Sequence, residues 1–429
     1  MPIKFEAMKT SVYPKFCAAL LACLGLGTLP SHAEKAELPD ASDPLAGMGV
    51  NIHFTDAKPG ELEMLSRAGF RWIRTDLTWS RTEGKTGSYD FSIYDRLLAS
   101  LDKFHIRTIF VLDYGNGLYD NGLPPHTDEG RAAFARWSVA AVTHFKDRGV
   151  LWEIWNEPNG NWFWKPHQNA EDYTKLALAV NQALHQAVPE EMMVGPALYG
   201  THLDFIDTLG RAGVLADWSA LTIHPYLRGG PETYGPTYDQ ARTLIKKYAP
   251  PGQRMDLLCG ESGYTSVWKG TNEVMQGKYL ARLYLFDVFS GIPVTIWYDW
   301  HEDGPDPQNV EHHFGIVHSD YQAGAANVYE PKPAYDSART YSQALDGYRF
   351  QKRIETKSQG DFVLSFAKED KPCLVAWTTS LSPHSLKIPA ADGIYLATSF
   401  DGKTQREVAA TGGVIVLKLD DGPQYLKPR

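Results

Sequence analysis

Between residues 48 and 345 a short apolar, strand-like run is followed eight times by a longer stretch with helical spacing. The strand-like runs are 48–54, 70–77, 107–113, 151–156, 192–196, 220–224, 255–260 and 293–299. The helical stretches are 59–68, 94–104, 131–148, 170–187, 203–212, 237–248, 277–290 and 332–345. Alternation of this kind predicts parallel strands joined by right-handed helical crossovers. Eight units over this length predict a (β/α)8 TIM barrel spanning 45–346. An open doubly wound sheet is the alternative, but no glycine fingerprint marks the first turn.

Beyond residue 346 the texture changes. Short apolar runs at 362–366, 373–377, 385–388, 394–399 and 414–419 are separated by turn signals such as Asp392-Gly393, Asp401-Gly402 and Gly412-Gly413. They predict a small C-terminal antiparallel β-sandwich over 347–429. Residues 1–33 read as an export signal: Lys4, Lys9 and Lys15 precede an apolar stretch, and Ser31-His32-Ala33 fits a small-x-small cleavage site. Met8 is a second candidate start, and lipidation at Cys23 is a minor alternative to cleavage after Ala33. Gly25, Gly27 and Pro30 interrupt a stretch already short of the ~20 residues a span needs, so no membrane span is expected in the mature chain. A polar linker, 34–44, follows. Of the four cysteines only Cys259 and Cys373 would remain after cleavage, and they fall in different predicted domains, so no disulfide is expected.

The chemistry concentrates where the fourth and seventh runs end. Trp155-Asn156-Glu157-Pro158 closes one, and Glu261 follows Gly260 at the end of the other. Strict alternation puts Glu153, Trp155 and Glu157 on one face and Trp152, Ile154 and Asn156 on the other. Both Glu157 and Glu261 then project into the C-terminal mouth of a barrel, where such folds keep their active sites. Two carboxyls facing one gap suit glycosidic cleavage, one protonated and one ionised, and repulsion between them drives their pKa values apart.

The pattern resembles the clan A glycoside hydrolases, family 39 in particular. The residues that carry the likeness are Trp155-Asn156-Glu157-Pro158-Asn159 with Phe163-Trp164-Lys165-Pro166, Gly260-Glu261-Ser262-Gly263-Tyr264, Arg74, His224-Pro225-Tyr226 and Lys332-Pro333-Ala334-Tyr335. The resemblance implies a retaining enzyme, with Glu157 as acid/base, Glu261 as nucleophile and Asn156 on the sugar 2-hydroxyl. It extends to bacterial endoglycosidases that act on exopolysaccharide. The loops 115–125 and 300–313 depart from the family's pattern.

Other residues are placed by type. Arg74, inside a strand, needs carboxylate partners, and Glu153 is expected to be one. His53 is a candidate for a sugar hydroxyl, and His224 or Tyr226 for a bond near Glu261. One of Trp297 and Trp300 is expected to floor the reactive subsite and the other to enter the core; parity does not decide. Trp164, like Trp162, either extends the cleft or packs its loop. His301, His312 and His313 match no common metal spacing, so neither a metal nor a cofactor is expected. Aromatics make up 12% of the chain, including 12 Trp and 22 Tyr, which suits stacking on sugar rings. The net charge of −9 argues against nucleic acid and against a strongly anionic polymer. The expected partner is an oligo- or polysaccharide, bound by a monomer. Two further readings are a non-hydrolytic carbohydrate-binding barrel and a transglycosylase using the same glutamates.

Overall fold

The computed structural model describes residues 35–200 and 202–429; the expected export signal lies outside them. Eight parallel strands close in sequence order: β1 (Met48–Asn51), β2 (Trp72–Thr78), β3 (Arg107–Asp113), β4 (Leu151–Ile154), β5 (Met192–Tyr199), β6 (Ala220–His224), β7 (Asp256–Ser262) and β8 (Thr295–Trp297), with β8 paired to β1. This is the expected (β/α)8 barrel.

Its interior is layered. At the bottom, inward side chains including Trp72, Ile109, Leu151, Val194, Leu258 and Ile296 form a closed apolar plug. Two residues further along β2 and β4, on the same inward face, stand Arg74 and Glu153. The outward side chains pack against the helical ring as the main core. Several helix starts are fixed by side chains. Thr127, Asn169 and Asn272 each accept a backbone N–H at the N-cap of helices Asp128–His144, Ala170–Ala187 and Glu273–Phe289. Two of these starts fall a few residues before the expected ones, because capping residues and acidic first turns extend each helix beyond its apolar stripe. No described helix is long and apolar enough to cross a membrane.

The C-terminal region is antiparallel throughout. Its strands are β9 (Arg349–Arg353), β10 (Asp361–Lys368), β11 (Lys371–Thr378), β12 (His384–Pro389), β13 (Gly393–Ser399), β14 (Gln405–Thr411), β15 (Val414–Leu419) and β16 (Gln424–Pro428). They join in the order β12-β15-β14-β13-β16-β11-β10-β9. Five of them are the expected runs. β9 and β14 escape the apolar pattern because much of their length is polar and faces solvent, and β16 because its buried apolar run is only Tyr425-Leu426. One face of the sheet, with Phe362 and Trp377, packs on Phe286 and Phe289 of the last-but-one barrel helix. The other face, with Val363, Tyr395 and Leu417, builds its own core. A buried ion pair pins the two parts: Arg282 Nε donates to Glu232 Oε1 at 2.8 Å, and Trp377 Nε1 donates to the same oxygen at 2.7 Å. Cys259 and Cys373 are both buried and free.

Candidate active site

The barrel's mouth is built upward from Arg74. This guanidinium is 2% exposed and fully engaged. Its Nε donates to Glu153 Oε2 at 2.7 Å, Nη1 to Glu261 Oε2 at 2.9 Å and Nη2 to Asn156 Oδ1 at 2.8 Å, with Asn51 Oδ1 at 3.4 Å. One buried cation therefore fixes the amide beside the first glutamate and the carboxylate of the second, a planar fork matched to several acceptors at once.

Glu157 reaches the site by a backbone irregularity. β4 ends at Ile154, and Trp155 and Glu157 have φ of 68° and 45°. Left-handed backbone is costly for residues with a Cβ; here Trp155 N bonds Leu112 O and Glu157 N bonds Ala197 O, which hold the turn. The expected alternation is thereby broken. Asn156 joins Glu153 around Arg74, while Trp155 swings outward against Phe134, Tyr114 and Trp164. Glu261 lies within β7 rather than past its end, beside a register shift between Cys259 and Ser262. Gly260 matters through space alone: a Cβ there would stand 3.3 Å from His224 Nε2 and 3.4 Å from Glu153 Oε1.

The two glutamates and His224 come together, each with a ligating atom within 4.8 Å of the others'. Their surroundings differ. Glu261 Oε1 accepts the Tyr226 hydroxyl at 2.7 Å, and Oε2 accepts Arg74. Burial raises its pKa, and Arg74 and the tyrosine bond oppose that rise. Glu157 Oε1 lies 2.8 Å from His224 Nδ1. Burial pushes His224 down to about 4, so the imidazole is neutral at pH 7 and offers Glu157 no positive charge. Burial pushes Glu157 up to about 7, with the Arg74 charge opposing only in part. Glu157 therefore holds a proton near neutrality, while Glu261 is the carboxyl that the site's donors favour in its charged form.

The sign of the pH dependence follows. In the acid role that the family resemblance implies for it, Glu157 donates from its protonated form, which is present below its pKa and lost above it. Hence kcat/KM on a neutral glycoside should fall about tenfold per pH unit above pH ~7, and Glu157→Gln should lack that limb. A pH–rate profile of both proteins checks this; an alkaline limb unchanged in the variant would assign it to another group.

The other wall of the mouth is rich in carboxyls. Asp113, at the end of β3, is fully buried beside Asp76, the next inward residue after Arg74 on β2. Burial and its neighbour raise Asp113 well above the usual carboxylate range, and burial raises Asp76 too, with the Arg74 charge opposing it. His53 Nε2 lies 3.4 Å from Asp299 Oδ2. Burial works to lower the His53 pKa, but the Asp299 carboxylate outweighs it and carries it up to about 9. Asp303 stands in the same cluster.

The aromatic expectations divide. Trp297 and Trp300 are both buried; Trp300 Nε1 donates to Glu61 Oε1 at 3.0 Å in the core. Between them, Tyr298 is part-exposed and sits edge-on to His53 and Phe314. It is the ring of this segment that faces the mouth. Trp164, 2% exposed, packs its loop against Trp155 and Tyr173 rather than facing the cleft. The 300–313 loop is anchored by Glu302, which receives Lys332 Nζ at 2.9 Å and lies 3.0 Å from His318 Nδ1 and 3.3 Å from His313 Nδ1. His313 is thus a strut for Glu302. Sequence reading missed Asp76, Asp113, Tyr298 and Asp299. Asp76 and Asp113 carried a usable signal, being acidic residues at the C-terminal ends of predicted barrel strands.

No protein-family model matches the chain, and no curated protein does either. Solved structures do. A family 39 glycoside hydrolase from the gut symbiont Bacteroides cellulosilyticus WH2 aligns with a TM-score of 0.77 and 26% identity over 92% of this chain and 83% of its own. A monomeric β-xylosidase from Caulobacter crescentus CB15 aligns at 0.65 and 17%, over 92% and 98%. A family 30 endoxylanase from Clostridium papyrosolvens C71 aligns at 0.62 and 13%, over 92% and 99%. These last two share the fold. The closed barrel and the likeness to the family 39 structure make this chain similar to the clan A glycoside hydrolases. The likeness is to a family 39 member in particular.

Proposed function

We propose that the chain is an exported retaining glycosidase that cleaves a β-linked oligo- or polysaccharide from within, by double displacement. The observation that carries this reading is the pairing of Glu157 and Glu261 within 4.8 Å in unlike surroundings. Retaining enzymes hold their carboxyls about 5–5.5 Å apart, and inverting ones leave room for a water between them. Glu261 attacks the anomeric carbon as Glu157 passes its proton to the departing oxygen. A covalent glycosyl ester forms on Glu261. Glu157, now ionised, takes a proton from water, and the hydroxide oxygen displaces Glu261 with a second inversion. Asn156, locked by Arg74, is placed to hold the 2-hydroxyl. No cofactor enters these steps.

The site's charges favour a neutral glycan. Arg74 and His53 are both engaged by carboxylates. Asp76, Asp299 and Asp303 line the same mouth, so a uronate or sulfated sugar would meet repulsion. Export and action on an exopolysaccharide rest on the leader-like residues 1–33 and on the family resemblance. The test is the product's anomeric configuration. Proton NMR within the first minutes of hydrolysis should show the β-anomer accumulating before mutarotation; initial release of the α-anomer would exclude double displacement.

A further inference from the structure

The described mouth has a polar side and an aromatic side. On the β1–β3 side stand Asn51, Arg74, Asp76 and Asp113. On the β4–β6 side a row of rings leads away from the nucleophile. Tyr226, whose hydroxyl bonds Glu261, lies 6.2 Å from Tyr199 at the end of β5. Tyr199 lies 6.2 Å from Trp162, with the two planes at 85°. Trp162 is 69% exposed and Tyr199 36%, so both present ring surface to solvent.

This corner is constructed rather than trailing. Asn159, 8% exposed, clamps the loop after β4 to β5: its Nδ2 donates to Tyr199 O at 2.8 Å, and Tyr199 N donates to its Oδ1 at 3.1 Å. Gly160 leaves room for the indole, since a Cβ there would approach Trp162 Cε3 to 3.3 Å. A lone exposed aromatic needs no explanation. A pair that continues a row of rings from the nucleophile, with Tyr199 held at its backbone by a buried amide, does.

We propose that Trp162 and Tyr199 form the binding site for the leaving portion of the glycan, seating a neutral pyranose ring against the indole with its edge toward the tyrosine. The inference rests on Glu157 being the proton donor, because the departing oxygen leaves on the donor's side and Trp162 stands in the second of two consecutive turns that begin at Glu157. Sugars present an apolar C–H face that aromatic rings cover well. Binding a second sugar there lets interactions remote from the broken bond assist the chemical step. The consequence is a preference for internal bonds of a chain over a terminal sugar on a small leaving group.

Two measurements test it, with β-1,4-linked glucose, xylose and mannose oligomers of two to six units as probes. In a Glu261→Gln background, oligomers should bind and shield an exposed tryptophan from acrylamide quenching. Adding Trp162→Ala should abolish the shielding and weaken binding about tenfold. In the active enzyme, Trp162→Ala should lower kcat/KM at least about tenfold on the longest cleaved oligomer and leave it within about twofold on a β-glycosyl fluoride, whose leaving group is too small to reach the rings; Tyr199→Ala should do the same more weakly. Equal losses on both substrates, undiminished binding in the alanine variant, or no shielding by any oligomer would overturn the proposal. Binding and shielding without hydrolysis would support the ring platform while overturning the glycosidase reading, so the two fail separately.

Discussion

Glu261→Gln should lower turnover of an activated aryl glycoside by a factor on the order of 10⁵, the scale of loss when an enzyme nucleophile is removed. The side chain keeps its volume. Its amide oxygen can accept from either Tyr226 or Arg74, so the site stays assembled. What disappears is the negative charge that forms the glycosyl ester in the proposed double displacement. The fold should survive, with thermal melting within a few degrees of wild type, because Arg74 still has Glu153 as its 2.7 Å partner. The smaller variant Glu261→Gly sharpens the test. Azide added to it should restore turnover and yield the α-glycosyl azide, a single inversion. Glu157→Gln should behave differently: 2,4-dinitrophenyl glycosides, whose leaving group needs no proton, should still form the ester and release a burst of phenol. Near wild-type activity in Glu261→Gln, or identical leaving-group behaviour in the two variants, would end the assignment of roles.

The sequence reveals this pair because barrel strands deliver their last inward residues to one place, and each strand-like run ends in a chemically legible residue. Arg74 and Glu153 are equally legible, since a charge inside an apolar run must meet its opposite. What fails is arithmetic along the chain. Alternation misassigns Asn156 and Trp155 because the backbone turns left-handed at Trp155, and no local residue type marks that turn. The same difficulty hides which ring near β8 meets the mouth: Trp297 and Trp300 attract attention by size, yet both are buried and Tyr298 between them is the part-exposed one. His53 is legible as a polar strand end, but its charge depends on Asp299, 246 positions away in the numbering. Long-range pairing of this kind leaves no local pattern. The 300–313 loop is opaque for a related reason. Its histidines match no common metal spacing, and the role of His313 appears only in three dimensions: with His318, from beyond the loop, it shares Glu302 with Lys332.

Arg74→Met should have the largest effect on stability, about 3–5 kcal/mol, because it leaves buried carboxyl groups without their cation. Glu153 has no exposed side-chain surface, and its Oε1 has no hydrogen-bond partner among the described residues. Losing the 2.7 Å bond to Oε2 would leave that carboxyl wholly unsatisfied. Activity should also fall, since Asn156 loses its 2.8 Å anchor and Glu261 loses the charge that favours its ionised form. Raising the Glu261 pKa moves the acidic limb of kcat/KM toward higher pH, narrowing the window in which Glu261 is charged and Glu157 protonated. The double variant Arg74→Met/Glu153→Leu separates the two roles. Replacing a buried ion pair by apolar side chains of similar size is often neutral, and the apolar plug below offers Trp72 and Leu151 as packing partners. Stability measured by urea unfolding should largely return in the double variant, while turnover should not. If turnover recovered along with stability, Arg74 would be a structural cation alone, and its hold on Asn156 and Glu261 would be incidental to the chemistry.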